Sequence, residues 1–136
     1  MARIISIDYG LKRTGIAVTD PLKIIASALI TIDSARIFTF LEEYFKKETV
    51  ELILIGDPRN LDGSPTDLTG HVQRIIGIFE RKFPGIPLKL VDERYSSVMA
   101  SRAMVEMGMK KRNRMEKTIV DQIAATMMLQ EYLSKA

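Results

Sequence analysis

The sequence predicts an α/β domain on a five-stranded mixed sheet flanked by helices. Three observations support this class. Three short β-rich segments open the chain, two later apolar strands each follow an amphipathic helix, and two helices come last.

Arg3 to Asp8 is short, β-branched and followed by Tyr9-Gly10, the pattern of a strand ending in a turn. Thr14 to Thr19 forms a second strand. Asp20-Pro21-Leu22-Lys23 supplies turn chemistry before a third, Ile24 to Thr31. Consecutive short strands with tight connections favour an antiparallel meander. Ser34 is placed to cap a helix to about Lys47, in which Ile37, Phe38, Leu41 and Phe45 share one face. Glu51 to Ile55 is a buried strand ended by Gly56-Asp57-Pro58. A polar loop through Gly63 and Pro65 leads to a helix from about Thr66 to Phe83, with Leu68, Val72, Ile75, Ile76 and Phe79 as its apolar stripe. Pro84-Gly85 precedes the strand Leu88 to Glu93. Ser96 or Ser97 caps the next helix, which Gly108 ends, and the last helix runs from about Thr118 to Leu133, with Ile119, Ile123, Met127 and Leu133 among its apolar positions.

The 136 residues fit a single domain, 1–136, large enough to bury a core without disulfides or a structural metal. The absence of cysteine excludes thiolate metal sites, iron–sulfur clusters and Cys nucleophiles, and the single His71 excludes a multi-histidine zinc site. His71 and the methionines at 99, 104, 107, 109, 127 and 128 have ordinary structural explanations, surface or core packing. No apolar run reaches the roughly 20 residues of a membrane span. The start of the chain lacks a secretory pattern, so a cytoplasmic protein with no membrane partner is expected.

The net charge of +3 is local. Lys110, Lys111, Arg112, Arg114 and Lys117 oppose Glu116 within eight residues, leaving 15 basic and 16 acidic residues elsewhere. This basic loop contains no aromatic for base stacking, which suits contacts to phosphates rather than sequence reading.

Ligands of α/β sheets gather at the carboxyl ends of strands, where Asp8, Asp57 and Asp92-Glu93 all fall. Hard divalent cations take oxygen ligands from carboxylates distant in sequence and convergent in the fold. Asp8, Glu93 and Asp121 meet that need, with Asp121 expected in the first turn of the last helix. Such a cluster suits metal-assisted phosphoryl displacement, and without metal its members repel one another. Each acid also has a plainer explanation: a turn former at Asp8, an ion pair of Glu93 with Arg94, and helix-start chemistry with Thr118 at Asp121. Cations flank all three, Lys12 and Arg13 after Asp8, Arg94 after Glu93, and the basic loop before Asp121. A polyanionic substrate needs that arrangement.

Four motifs carry a resemblance. Ile-Asp8-Tyr9-Gly10-Leu-Lys12-Arg13-Thr-Gly15, Gly56-Asp57-Pro58-Arg-Asn-Leu-Asp62-Gly63, Asp92-Glu93-Arg94-Tyr-Ser96-Ser97 and Lys117-Thr-Ile-Val-Asp121-Gln-Ile-Ala124-Ala125 together resemble the YqgF family of Holliday-junction-resolvase-like proteins and pre-16S rRNA nucleases. The resemblance covers essentially the whole chain. It implies an RNase H-like three-layer fold and a Mg²⁺- or Mn²⁺-dependent nuclease that trims the 5′ end of precursor 16S rRNA, with Asp8, Glu93 and Asp121 as its catalytic, metal-binding triad. Asp57 departs from the apolar residue common in that family. A substrate track of Lys12, Arg13, Arg94, Lys110, Lys111, Arg112, Arg114 and Lys117 is expected, and a monomer or weak homodimer. A four-way DNA junction resolvase and a nonenzymatic ribosome-assembly or nucleic-acid-binding factor stay open as alternatives. An actin-like ATPase is disfavoured by the chain's length and its single Asp-x-Gly turn.

Overall fold

The computed structural model describes residues 2–58, 62–92 and 114–135. Strands β1 (Arg3–Asp8), β2 (Arg13–Thr19), β3 (Ala26–Asp33), β4 (Val50–Asp57) and β5 (Leu88–Asp92) form one sheet in the order β3-β2-β1-β4-β5. The first three are the expected antiparallel meander, and β4 and β5 extend the sheet in parallel from β1. Three described helices cover it: α1 (Ile37–Lys47), α2 (Thr69–Lys82) and α3 (Arg114–Lys135).

The period-2 alternation of the strands sorts the layers. Ile5, Ile7, Ile16, Val18, Ile53 and Ile55 bury on one face against Ile37 and Leu41 of α1 and Val72, Ile75 and Phe79 of α2. Ile4, Ala17 and Leu54 bury on the other, beneath Ala125 and Leu129 of α3. A sheet with helices on both faces hides β1 and β4 almost completely, which is why these strands are nearly continuous Ile, Leu and Val.

The structure corrects several boundaries. The third strand starts at Ala26 rather than Ile24, because the Asp20 carboxylate accepts the backbone N–H groups of Leu22, Ile24 and Ile25 and keeps them in the turn. The second helix starts at Thr69 rather than Thr66, since Thr66 and Thr69 both donate their hydroxyls to the Pro58 carbonyl and close a turn first. Ser34 begins a single 3₁₀ turn (Ser34–Arg36) and does not cap α1. The last helix begins at Arg114 rather than Thr118, so Arg114 and Lys117 belong to α3 and not to a loop. Arg, Met, Glu and Lys at its start are all strong helix formers. Its buried stripe is Ala124, Ala125, Met128 and Leu129, whereas Ile123 and Met127 lie partly exposed. The helix expected between Ser96 and Gly108 lies outside the described residues.

Candidate active site

β1, β4 and β5 run parallel and end at the same edge of the sheet on Asp8, Asp57 and Asp92. Asp57 and Asp92 are paired in register. Asp8 is 6% exposed and stands opposite the buried Gly15 of β2.

α3 reaches this edge through one buried contact. Ser6 donates its hydroxyl to the Ala125 carbonyl at 2.8 Å, linking residues 119 apart in sequence. Ile4 packs with Ala125 and Leu129, so α3 runs antiparallel to β1. One step further along each element, two residues on in β1 and one turn back in α3, reaches Asp8 and position 121. The helix therefore carries Asp121 to the level of Asp8, in its interior rather than its first turn, which removes the helix-start explanation for this acid. Close approach is possible because Ser6, Gly15, Ala17, Ala124 and Ala125 are all small, and all are buried, Ser6, Ala17 and Ala125 completely.

Lys12 and Arg13 occupy the turn after Asp8 and the start of β2. Arg13 falls on the same face as Gly15 and Ala17, hence on the α3 side with Asp8. Beside them Leu11, Lys12, Arg13, Thr31, Ile32 and Asp33 line an open depression of about 480 Å³. Asp57 alternates with Ile53 and Ile55 and so falls on the α1/α2 side, away from the face of Asp8. His71 sits at the start of α2, also across the sheet.

Glu93, Arg94, Lys110, Lys111 and Arg112 lie outside the described residues, and Arg114 and Lys117 are placed on the first two turns of α3. Among the described residues no group of three Asp, Glu or His could hold a metal ion.

The turn after Asp8 is tightly held from the α1 side. The Ser34 hydroxyl donates to the Gly10 carbonyl at 2.5 Å and contacts the Thr14 hydroxyl at 2.7 Å, while the Ser34 N–H donates to the Lys12 carbonyl at 2.9 Å. A Cβ on Gly10 would lie 2.5 Å from the Arg13 carbonyl oxygen, so only glycine fits this close approach. Sequence reasoning assigned Ser34 to a helix cap. Its proximity to Gly10 across 24 residues has no local signature.

The family described as RuvX, Holliday junction resolvase, matches residues 2–135. The chain belongs to the RuvX family. This is the YqgF family that the motifs resemble. Curated RuvX relatives include a "Putative pre-16S rRNA nuclease" of Christiangramia forsetii, 48% identical over 133 residues and covering 98% of both chains. One of that name from Flavobacterium psychrophilum is 47% identical over 135 residues, covering 99% of this chain and 98% of its own. Among solved structures, Thermus thermophilus RuvC in complex with a Holliday junction superposes with a TM-score of 0.58 at 14% identity, over 99% of this chain and 96% of that one. Fowlpox virus resolvase with Holliday junction DNA gives 0.58 at 12%, over 98% and 97%. These likenesses show the RNase H-like fold.

Proposed function

We propose that this RuvX protein is a divalent-cation-dependent nuclease that processes the 5′ end of precursor 16S rRNA by phosphodiester hydrolysis. Family membership and the name carried by relatives at 41–48% identity support the activity. The observation that carries the assignment to residues is the Ser6–Ala125 hydrogen bond, which sets α3 on β1 so that Asp121 comes level with Asp8.

The donor set fits a hard cation. Asp8, Glu93 and Asp121 offer carboxylate oxygen, the chain has no cysteine, and its one histidine lies across the sheet. In this reading Asp8, Glu93 and Asp121 hold Mg²⁺ or Mn²⁺, which supplies water activation and charge neutralisation at the phosphoryl group. Asp8 is buried on the face of the sheet that α3 packs against. Lys12, Arg13, Arg94 and the cations from Lys110 to Lys117 contact flanking phosphates, a binding mode that follows backbone shape and weakens with salt. One domain, residues 1–136, carries the whole site and acts in the cytoplasm, where its substrate is made. Cutting a single RNA strand needs one site per molecule, so a monomer or weak homodimer suffices.

The family description and the resolvase neighbours favour a second reading, cleavage of four-way DNA. One experiment separates the readings. A precursor 16S rRNA 5′-leader and a synthetic four-way DNA junction are incubated side by side with Mg²⁺ or Mn²⁺ and with wild type, Asp8→Asn and Asp121→Asn. RNA cleavage abolished in both variants is the expected result. Junction-only cleavage would replace RNA by DNA as substrate, and metal-independent binding without cleavage of either would indicate an assembly factor.

A further inference from the structure

We propose that Ser34 is a positioning residue for the site, holding the turn that carries Asp8 into Lys12 and Arg13. The assignment rests on the nuclease reading above, and it adds a residue from outside the acidic triad and the basic track.

Proton accounting gives the direction of the network. A serine hydroxyl has one proton, and that of Ser34 goes to the Gly10 carbonyl at 2.5 Å, an acceptor with no proton of its own. The 2.7 Å contact with Thr14 is therefore made by the threonine proton. The chain runs from Thr14 through Ser34 to Gly10, with Thr14 at 0% and Ser34 at 8% exposure. The Ser34 N–H holds the Lys12 carbonyl at 2.9 Å, so one residue grips two of the carbonyls between Asp8 and β2.

A serine at a helix start ordinarily accepts a backbone N–H of the first turn. No side chain caps this turn: the Ser34 oxygen accepts the Thr14 proton instead, and its own proton goes to the loop. The loop has no slack to absorb a loss. With no room even for a Cβ between Gly10 and the Arg13 carbonyl, a shift at Gly10 moves both the neighbour of Asp8 and the start of β2. Thr14 alternates with Ile16 and Val18 on the α1 face, whereas Asp8 faces α3. Ser34 thus supports the site from the far side of the sheet and acts only through backbone.

The test compares Ser34→Thr with Ser34→Val, which share a shape and differ in the hydroxyl. With the RNA leader as substrate, kcat of Ser34→Val is expected to fall on the order of 10- to 100-fold, the scale of small displacements at a reacting centre, with KM nearly unchanged. Ser34→Thr is expected to retain turnover. Equal kcat for the two variants would overturn the proposal, because packing alone would then explain the residue. Should Ser34→Val fail to fold, Thr14→Val removes the donor to Ser34 and is expected to lower kcat selectively, and an unchanged kcat there overturns the assignment equally. Wild-type protein that cuts neither RNA nor DNA would defeat the nuclease reading itself. Amide hydrogen exchange over residues 9–13 then decides the role of Ser34, since only loss of the hydroxyl should speed it.

Discussion

Replacing Gly10 by alanine inserts a methyl group where the backbone leaves none. The added Cβ would sit 2.5 Å from the Arg13 carbonyl oxygen, whereas real Cβ atoms essentially never approach closer than 3.0 Å, so at least 0.5 Å of movement is required. Both sides of the clash are backbone, and no rotamer change relieves it. The displaced groups are tied down, Gly10 by the Ser34 hydroxyl and Lys12 by the Ser34 N–H. Overpacking of this kind costs about 1–3 kcal/mol. In a chain of this size that lowers Tm by roughly 4–12 °C. Because the same turn leads out of Asp8, kcat should also fall about 10- to 100-fold even at temperatures where the variant is fully folded. Thermal denaturation paired with RNA-leader cleavage at fixed metal concentration measures both effects. A Gly10→Ala protein with wild-type Tm and wild-type kcat would refute the claim that the turn is fully constrained.

Leu129→Ala removes a fully buried side chain that joins α3 to Ile4 and Leu54, and should cost about 2–5 kcal/mol by denaturant titration, with cleavage lost as the helix loosens. Backbone amides, that of Ile25 foremost and then those of Ile24, Leu22 and Asp20 itself, hold the Asp20 carboxyl below its usual value of 3.8. Its folded pKa being depressed, the order it lends the β2–β3 turn is present above pH 3.8 and lost as pH falls through the lowered value. NMR titration should show Leu22, Ile24 and Ile25 amides shifting together in that acid range, and a transition at or above 3.8 would contradict it. Replacing Lys12 and Arg13 together by alanine should reduce the slope of log affinity against log salt by about 2, without altering the preference among RNA sequences.

The succession of strands, the opening meander and the acidic strand ends were legible because they depend on local pattern. β-branched runs ending in Asp8, Asp57 and Asp92 specify strands and their termini, and the alternation of their residues specifies the faces. The side on which Asp57 falls follows from the same alternation once the helices are placed, and it separates this acid from Asp8. The α3 stripe was harder to see. Hydrophobic periodicity weights bulky residues, so Ile123 and Met127 stood out, whereas close packing on β1 and β2 selects Ala124 and Ala125. The charge run through Arg114 and Lys117 concealed the start of that helix, since charge suggests solvent while the same residues have strong helix propensity. Ser34 illustrates a different barrier. Its sequence context is that of a cap, and its actual partners, Gly10, Lys12 and Thr14, are brought to it only by the completed meander.

The pairing of Ser6 with Ala125 has a consequence for the time course of synthesis. β1 is among the first elements to leave the ribosome and α3 is the last, so a contact between residues 119 apart in sequence can close only after nearly the whole chain is made. Through most of translation β1 exists without the helix that packs on it. The layer that α3 supplies is thus added last, and that face of β1 is covered only as the finished chain leaves the ribosome.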